Sequence, residues 1–292
     1  MEVRTFPTLR RPGLGLKPKR ESTRPLLPQH ARHCPVLEAG SAMGFMVYAP
    51  LDPRESIYAE YVGDGQYKFV YYLQSPNGKP TPVFMTTMTM SLGGVGMLKE
   101  DVQFMGTPVL TKEAALEVTR AFIVPEDMGT PAGAIALRGA TNFQTPAGWD
   151  TVYTPIFNMI ERPVAPMLVV RVETDWYMHE TEFRYVLQPG EGLTISQSIP
   201  IGQVMFVPRE EITLRDASEK ELATIRDAQS QFFQHKAAAA QKTGYGLTVS
   251  PHYLRQSRLQ KESGIRSRDP GLGQESDTQD SGDKDSPEEQ AK

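Results

Sequence analysis

The residue types with most chemical potential are concentrated between positions 171 and 184, which read Arg171-Val-Glu173-Thr-Asp175-Trp176-Tyr177-Met-His179-Glu180-Thr-Glu182-Phe-Arg184. In a strand, side chains alternate between faces. Arg171, Glu173 and Asp175 therefore share one face, with Val170, Val172 and Thr174 on the other. Glu182 and Arg184 share a face on the segment that follows. If the two segments pair as a hairpin, Arg171 and Glu173 face Glu182 and Arg184 in a solvated ladder of ion pairs, contributing ~0.2–1 kcal/mol. If instead the first strand runs into a cavity, Glu173, Asp175 and Arg184 floor a polar pocket walled by Trp176 and Tyr177. Arg184 would there keep Asp175 ionised, or grip an anionic ligand with its fork of N–H donors. His179 brings the one side-chain type that titrates near neutral pH. Glu173, Asp175 and His179 are thus the candidate acid–base groups.

A second segment, Asn142-Phe-Gln-Thr-Pro-Ala-Gly-Trp149-Asp-Thr-Val-Tyr153-Thr-Pro-Ile-Phe-Asn158, mixes aromatic and amide side chains. Trp149 and Tyr153 suit a pocket wall, and Asn142 and Asn158 suit polar ligand groups. The same aromatic residues would equally pack a proline-bounded loop onto a sheet. The candidate pocket is Glu173, Asp175, Trp176, His179, Arg184, Trp149 and Tyr153.

Other chemistry is excluded by spacing. Asp175 and His179 lack the clustered histidines of a transition-metal site, and His30 and His33 beside Cys34 lack further ligands. No metal and no cofactor is assigned. Cys34 is the single cysteine, which rules out an intrachain disulfide and a cysteine-rich zinc site. Gly93-Gly94-Val95-Gly96 does not have the spacing of a dinucleotide fingerprint. The G-x-S-x-G elbow and the phosphate-binding P-loop are both absent from the sequence.

Short strands separated by turns must position these residues. Segments 44–49, 56–62, 66–74, 82–90, 133–139, 166–174, 182–187 and 199–207 have strand patterns. Gly63-Asp64-Gly65 between two of them is a hairpin signal. In 66–74, Tyr67, Phe69, Tyr71 and Leu73 fall on one face. Strands do not alternate regularly with helices, which argues against a parallel α/β sheet. The fold class is mainly β, an antiparallel sandwich or distorted barrel with a C-terminal helix and disordered tails. Ser218-Glu-Lys-Glu221 has capping-box spacing and opens that helix. Its stripe of Leu222, Ile225 and Phe232 is expected to bury on the β body or on a second subunit. A short helix is expected near Thr111–Thr119, another from Ser250-Pro251, and Pro35 points to an extended entry strand.

The chain has 292 residues, long enough for one large or two small domains, with net charge −4. Residues 1–29 form a proline-rich basic arm: up to His33 the sequence carries a net +6. That arm either stays solvated or lies on a partner or on the acidic body of its own domain. Residues 30–217 make the β domain and 218–263 a helical segment. Residues 264–292 are an acidic, apolar-poor tail, expected to be disordered. The middle of the chain is acidic, so there is no strong nucleic-acid signal. No apolar run reaches the ~18–20 residues of a membrane span. With no signal-like N-terminus, the expectation is a soluble cytoplasmic protein.

The order of certain pieces resembles a family of uncharacterised bacterial proteins, classed as a domain of unknown function. The pieces are His33-Cys34-Pro35-Val36-Leu37, a loose Ala39–Phe45 segment, Thr145-Pro-Ala-Gly-Trp149 leading through Asn158, Val172-Glu-Thr-Asp-Trp176, Pro189-Gly-Glu191 and Pro200-Ile-Gly-Gln-Val204. The likeness covers about residues 30–260, and Glu-Thr-Asp-Trp is its most specific part. It implies no activity. At the level of fold, Glu173-Thr-Asp175 and Ile201-Gly-Gln203-Val-Met-Phe206 are similar to segments of trimeric deoxyuridine-triphosphatase-type barrels. The phosphate and base motifs of those enzymes are missing, so the likeness implies a barrel and not nucleotide hydrolysis. The functional expectation is a small-ligand-binding β protein with a biosynthetic or accessory role. Left open beside it are an enzyme using Asp175, His179 or Glu173, and a homo-oligomeric or interaction protein acting through its helix.

Overall fold

The computed structural model describes residues 2–23, 25, 27–29, 31–32, 34–90, 97–108, 110–124, 131–159, 167–242, 244, 246 and 248–262. His30, His33, the Gly93–Gly96 loop and the 264–292 tail lie outside the described residues. The chain divides into two compact units, Met1–Glu211 and Ile212–Lys292.

In the first unit the chain begins with strand β1 (Arg4–Pro7) and reaches a short helix α1 (Pro35–Ser41) before β2 (Phe45–Tyr48). Pro35 opens α1 rather than extending a strand. At the first helical position its missing N–H is one that would have no partner anyway, and its fixed φ suits the helix. A meander follows: β3 (Glu55–Gly63), β4 (Gln66–Gln74), β5 (Pro80–Met90) and β6 (Met97–Phe104). The β3–β4 turn is where the sequence places it, with Asp64 at φ 51° and Gly65 at φ 74°. Tyr67, Phe69 and Tyr71 of β4 are buried on the expected face, while Leu73 at the strand's end is exposed.

Helix α2 (Lys112–Phe122) starts where the Thr111 side chain accepts from the Ala114 N–H at 3.2 Å. It runs three residues beyond the expected Thr119, because Phe122 still packs on Phe69 with ring centres 6.2 Å apart. Then come β7 (Ile123–Val124), β8 (Ala134–Arg138), β9 (Thr141–Gln144), β10 (Trp149–Thr154), β11 (Met167–Leu168), β12 (Val170–Val172), β13 (Glu182–Val186), β14 (Glu191–Ser196) and β15 (Pro200–Pro208).

Every described strand pair is antiparallel, in sheets ordered β14-β3-β4-β5-β6, β12-β10-β15-β2, β11-β13-β8-β7 and β1-β9. The architecture is sandwich-like, mainly β, with no closed barrel among the described residues. Phe69, Phe84, Phe122, Phe143, Tyr153, Phe183, Leu187 and Ile201 fill one continuous core between these layers. Each such side chain contributes roughly 1.5–3 kcal/mol on leaving water.

In the second unit, α3 (Glu219–Ala238) begins at the expected capping box, with Ser218 and Glu221 bonding reciprocally. A two-residue pair, β16 (Gln241–Lys242) with β17 (Thr248–Val249), precedes α4 (His252–Glu262), whose His252 N–H donates to Ser250 Oγ. The stripe expected to bury on the β body or on a second subunit is uncovered within this single chain. No α3 residue is buried, and Leu222 and Ile225 are exposed. Phe232 is half-buried, its ring 5.0 Å from His252 of α4.

Candidate functional site

The seven residues expected to line one pocket divide between two arrangements, and the hairpin that was the alternative to the pocket does not form. Strand β12 pairs with β10, whereas β13 pairs with β8 and β11. Arg171 and Glu173 therefore do not face Glu182 and Arg184. The partner of Asp175 is Arg209, at the end of β15, instead of Arg184.

The first arrangement is a charge cluster around Asp150. That carboxylate is buried on β10 and accepts from Arg171 Nε at 2.6 Å and from Arg209 Nε and Nη2 at 2.9 and 2.6 Å. Arg209 Nη2 also donates to Asp175 at 2.7 Å, and the Gly148 N–H donates to the other Asp175 oxygen at 3.0 Å. Glu173 lies 3.9 Å from Arg209 and accepts from the Trp176 indole N–H. Burial alone would raise the Asp150 carboxyl, but the hydrogen bonds from Arg209 and Arg171 outweigh it and hold it below the usual aspartate range. Arg209 and the Gly148 N–H do the same for Asp175. An effective acid–base group has a pKa near the working pH. These two carboxyls are shifted the other way. Their geometry fastens the loop after β12 and the end of β15 to β10. Trp149 sits beside this cluster half-buried, and Trp176 and Tyr177 are 66% and 51% exposed.

The second arrangement holds Tyr153, His179 and Arg184. The Tyr153 ring is buried edge-on against Phe183 and His179, at 5.7 and 6.3 Å, and His179 stacks on Tyr177 at 5.4 Å. Burial pushes the Tyr153 phenol up to about 12. Burial, then the charges of Arg184 and Arg138, push the His179 imidazole down. Among the described residues, Tyr153 Oη, Thr181 Oγ1 and Arg138 Nε are buried without a hydrogen-bond partner. Arg184 lies 3.6 Å from Glu182 of its own strand. Between the two arrangements, Thr174 Oγ1 meets Thr145 and Thr151 hydroxyls at 2.9 and 2.7 Å inside the protein. Asn142 and Asn158 serve the backbone fold: Asn142 Oδ1 accepts from the Thr181 N–H, and Asn158 Nδ2 donates to Ser41 Oγ.

A groove of about 500 Å³ lies elsewhere, between the N-terminal arm and the β body. The segment Val3–Pro7 lines one side and Gly13–Pro18 another, with Phe45, Phe143 and Phe206 from β2, β9 and β15 as an aromatic wall. Phe206 touches both neighbours, with ring centres 6.0 Å from Phe45 and 5.5 Å from Phe143.

The arm is built onto the body. Strand β1 pairs with β9, and the Thr8 hydroxyl and Leu9 N–H both donate to Glu180 at 3.1 and 3.0 Å. Arg138 holds that same carboxylate. Arg11 grips Glu55, and the Gly15 N–H donates to the Leu51 carbonyl at 3.1 Å. Gly15 sits at φ 87°, where a Cβ would meet the Ala49 carbonyl oxygen and Ala140 Cβ at 2.6 and 2.5 Å. Only glycine allows that close approach. Of the three fates the sequence allowed the arm, docking on its own acidic domain is the one observed.

The groove residues were absent from the sequence-derived pocket. The available signals were the apolar residues interspersed among the arm's prolines (Val3, Phe6, Leu14 and Leu16) and the basic charge next to them. No protein-family model matches the chain, and no curated protein or solved structure is significantly similar to it. Among the described residues no helix is long and apolar enough to cross a membrane, and no group of three or more His, Cys, Asp or Glu is placed to hold a metal ion.

Proposed function

We propose that this chain is a small-ligand-binding protein whose site is the groove between the arm and the β body. The observation that carries the reading is the aromatic wall: Phe45, Phe143 and Phe206 come from three strands and line a space of about 500 Å³. Ligand sites are characteristically concave, mostly apolar and roughly 300–1,000 Å³ in volume. Two carboxylates of the body, Glu55 and Glu180, pin the middle of the arm beside it. The acid–base alternative draws no support from Asp175 and Glu173, which turn to Arg209 and Trp176.

The test is titration with N-phenyl-1-naphthylamine, a neutral apolar dye that fluoresces on leaving water. Saturable binding of one dye per chain is expected. Phe206→Ala and Phe45→Ala should each weaken it by about tenfold, the loss of roughly 1.4 kcal/mol of contact. Both rings are half-buried, so circular dichroism can verify that the variants stay folded. Absence of saturable binding, or equal binding by folded variants, would overturn the proposal.

A further inference from the structure

The lining of the groove includes a lysine and two threonines as well as the apolar wall. We infer that its ligand is an amphipathic anion: an apolar body seated on the phenylalanines, with one negatively charged head met by Lys17 and Arg20. This rests on the groove reading above and extends it to the ligand's charge.

Lys17 is the one ionisable side chain among the described lining residues, so the lining contributes a cation and no acid. Three residues on, the Arg20 guanidinium lies 5.8 Å from the ring centre of Phe45, itself part of the wall. Three other cations of the arm are already engaged: Arg10 with Glu117, Arg11 with Glu55, and Lys19 with Glu21. Among the described residues neither Lys17 nor Arg20 meets a carboxylate, and Arg20 Nε donates only to the Ala42 carbonyl, at 3.3 Å. Thr5 and Thr141 also line the groove, and their hydroxyls donate to no protein group among the described residues. Two cations and two hydroxyls complement a carboxylate or sulfonate, since a charged acceptor strengthens each hydrogen bond it receives. A neutral ligand would leave both cations unmatched. A cationic one would sit beside two like charges. The arm concentrates positive charge on a chain that is acidic overall, so an anion is drawn locally to this face.

A matched pair of dyes tests the charge separately from the groove. N-Phenyl-1-naphthylamine and 8-anilinonaphthalene-1-sulfonate share one aromatic frame and differ by the sulfonate. The full-length chain should bind the sulfonate with the higher affinity. In the Lys17→Gln/Arg20→Gln variant the ratio of sulfonate to neutral affinity should fall by about three- to tenfold, the size expected for exposed charges. High salt should shrink the ratio in the wild type and leave it unmoved in the variant. A ratio that does not change on substitution, or a wild type that binds the neutral dye and excludes the sulfonate, overturns the inference and leaves the groove reading standing. If neither dye binds, both fall.

Discussion

Arg11 of the arm grips Glu55 of β3 through two parallel hydrogen bonds, Nη1 to Oε2 at 2.9 Å and Nη2 to Oε1 at 2.8 Å. The Tyr71 hydroxyl and the Asp52 N–H complete the carboxylate's shell, and the Arg11 guanidinium also covers the Phe122 ring at 4.9 Å. The pair is mostly shielded from water, with side-chain exposures of 16% and 9%. It ties a segment that looks like a tail to the start of β3 in the five-stranded sheet.

Removing one partner of such a pair leaves the other charge buried and under-satisfied. Arg11→Ala should therefore destabilise the first unit by about 3 kcal/mol. Arg11→Lys should recover only part of this, since an ammonium cannot make the two-pronged contact. Chemical denaturation of the three proteins measures the difference. Loss below about 0.5 kcal/mol in Arg11→Ala would mean that the arm is not held by this contact.

The same pair sets a pH dependence. Burial would raise the Glu55 carboxyl, but the hydrogen bonds from Arg11, Tyr71 and the Asp52 N–H outweigh it, so its folded value lies below the usual glutamate range. A depressed carboxyl stabilises the fold above its unfolded pKa, about 4.3. That contribution is lost as pH falls through the lower folded value. The stability difference between wild type and Glu55→Gln should be constant at neutral pH and shrink steadily below about pH 4. A difference unchanged down to pH 2 would contradict the assignment.

Local features of the fold were legible in the sequence, and distant partnerships were not. The Gly63-Asp64-Gly65 hairpin and the Ser218–Glu221 capping box involve residues within a few positions of each other, so their chemistry is readable from spacing. Arg209 is 34 residues from Asp175 and 59 from Asp150, and no spacing rule links them. Strand alternation was extended through Asp175, but β12 ends at Val172 and a turn carries residues 174–176, and alternation could not say that β10 would be the neighbour instead of β13. The stripe on α3 shows the limit of periodicity. An amphipathic pattern marks which residues share a face, while burial needs a second surface, and Leu222 and Ile225 remain 39% and 44% exposed. The proline density of the arm correctly excluded a helix and a central strand there. It could not reveal that Glu55, 44 residues onward, receives Arg11.

Arg209 fastens two carboxylates on different segments with one guanidinium, and those carboxylates raise its own pKa further above the ordinary arginine value. Arg209→Gln should lower the thermal midpoint, and Arg209→Lys should fail to restore it, because a point charge cannot address both carboxylates in the same plane. In a double-mutant cycle, Asp175→Asn should have a smaller effect in the Arg209→Gln background than in the wild type. Additive effects would show that the Arg209–Asp175 contact contributes nothing.

Gly202 of β15 lies against the face of Phe183, so closely that a Cβ there would overlap the ring. Phe183 is fully buried and packed edge-on against Tyr153, which leaves it little room to turn. Gly202→Ala should cost about 1–3 kcal/mol by overpacking. Adding Phe183→Leu should make the alanine less damaging than it is alone. A neutral Gly202→Ala would show that Gly202 and the Phe183 ring are not in close contact in solution.

The basic, proline-rich segment at the start of the chain resembles a tail that can be removed without consequence, and its contacts argue otherwise. Deleting residues 2–19 strips Glu55 of Arg11 and Glu180 of the Thr8 and Leu9 donors. It also removes β1 from the edge of β9 and uncovers Phe143, now only 2% exposed. Glu55 then keeps its desolvation without its charged partner, which is the costly half of a broken pair, while Glu180 retains Arg138. The shortened chain should unfold at a lower midpoint than wild type and lose saturable binding of N-phenyl-1-naphthylamine, because one side of the groove is gone. Deleting residues 2–7 alone, which spares Thr8, Leu9 and Arg11, should weaken dye binding with a smaller loss of stability. Equal midpoints for all three proteins would mean that the arm leaves the body in solution. The groove would then have no second wall.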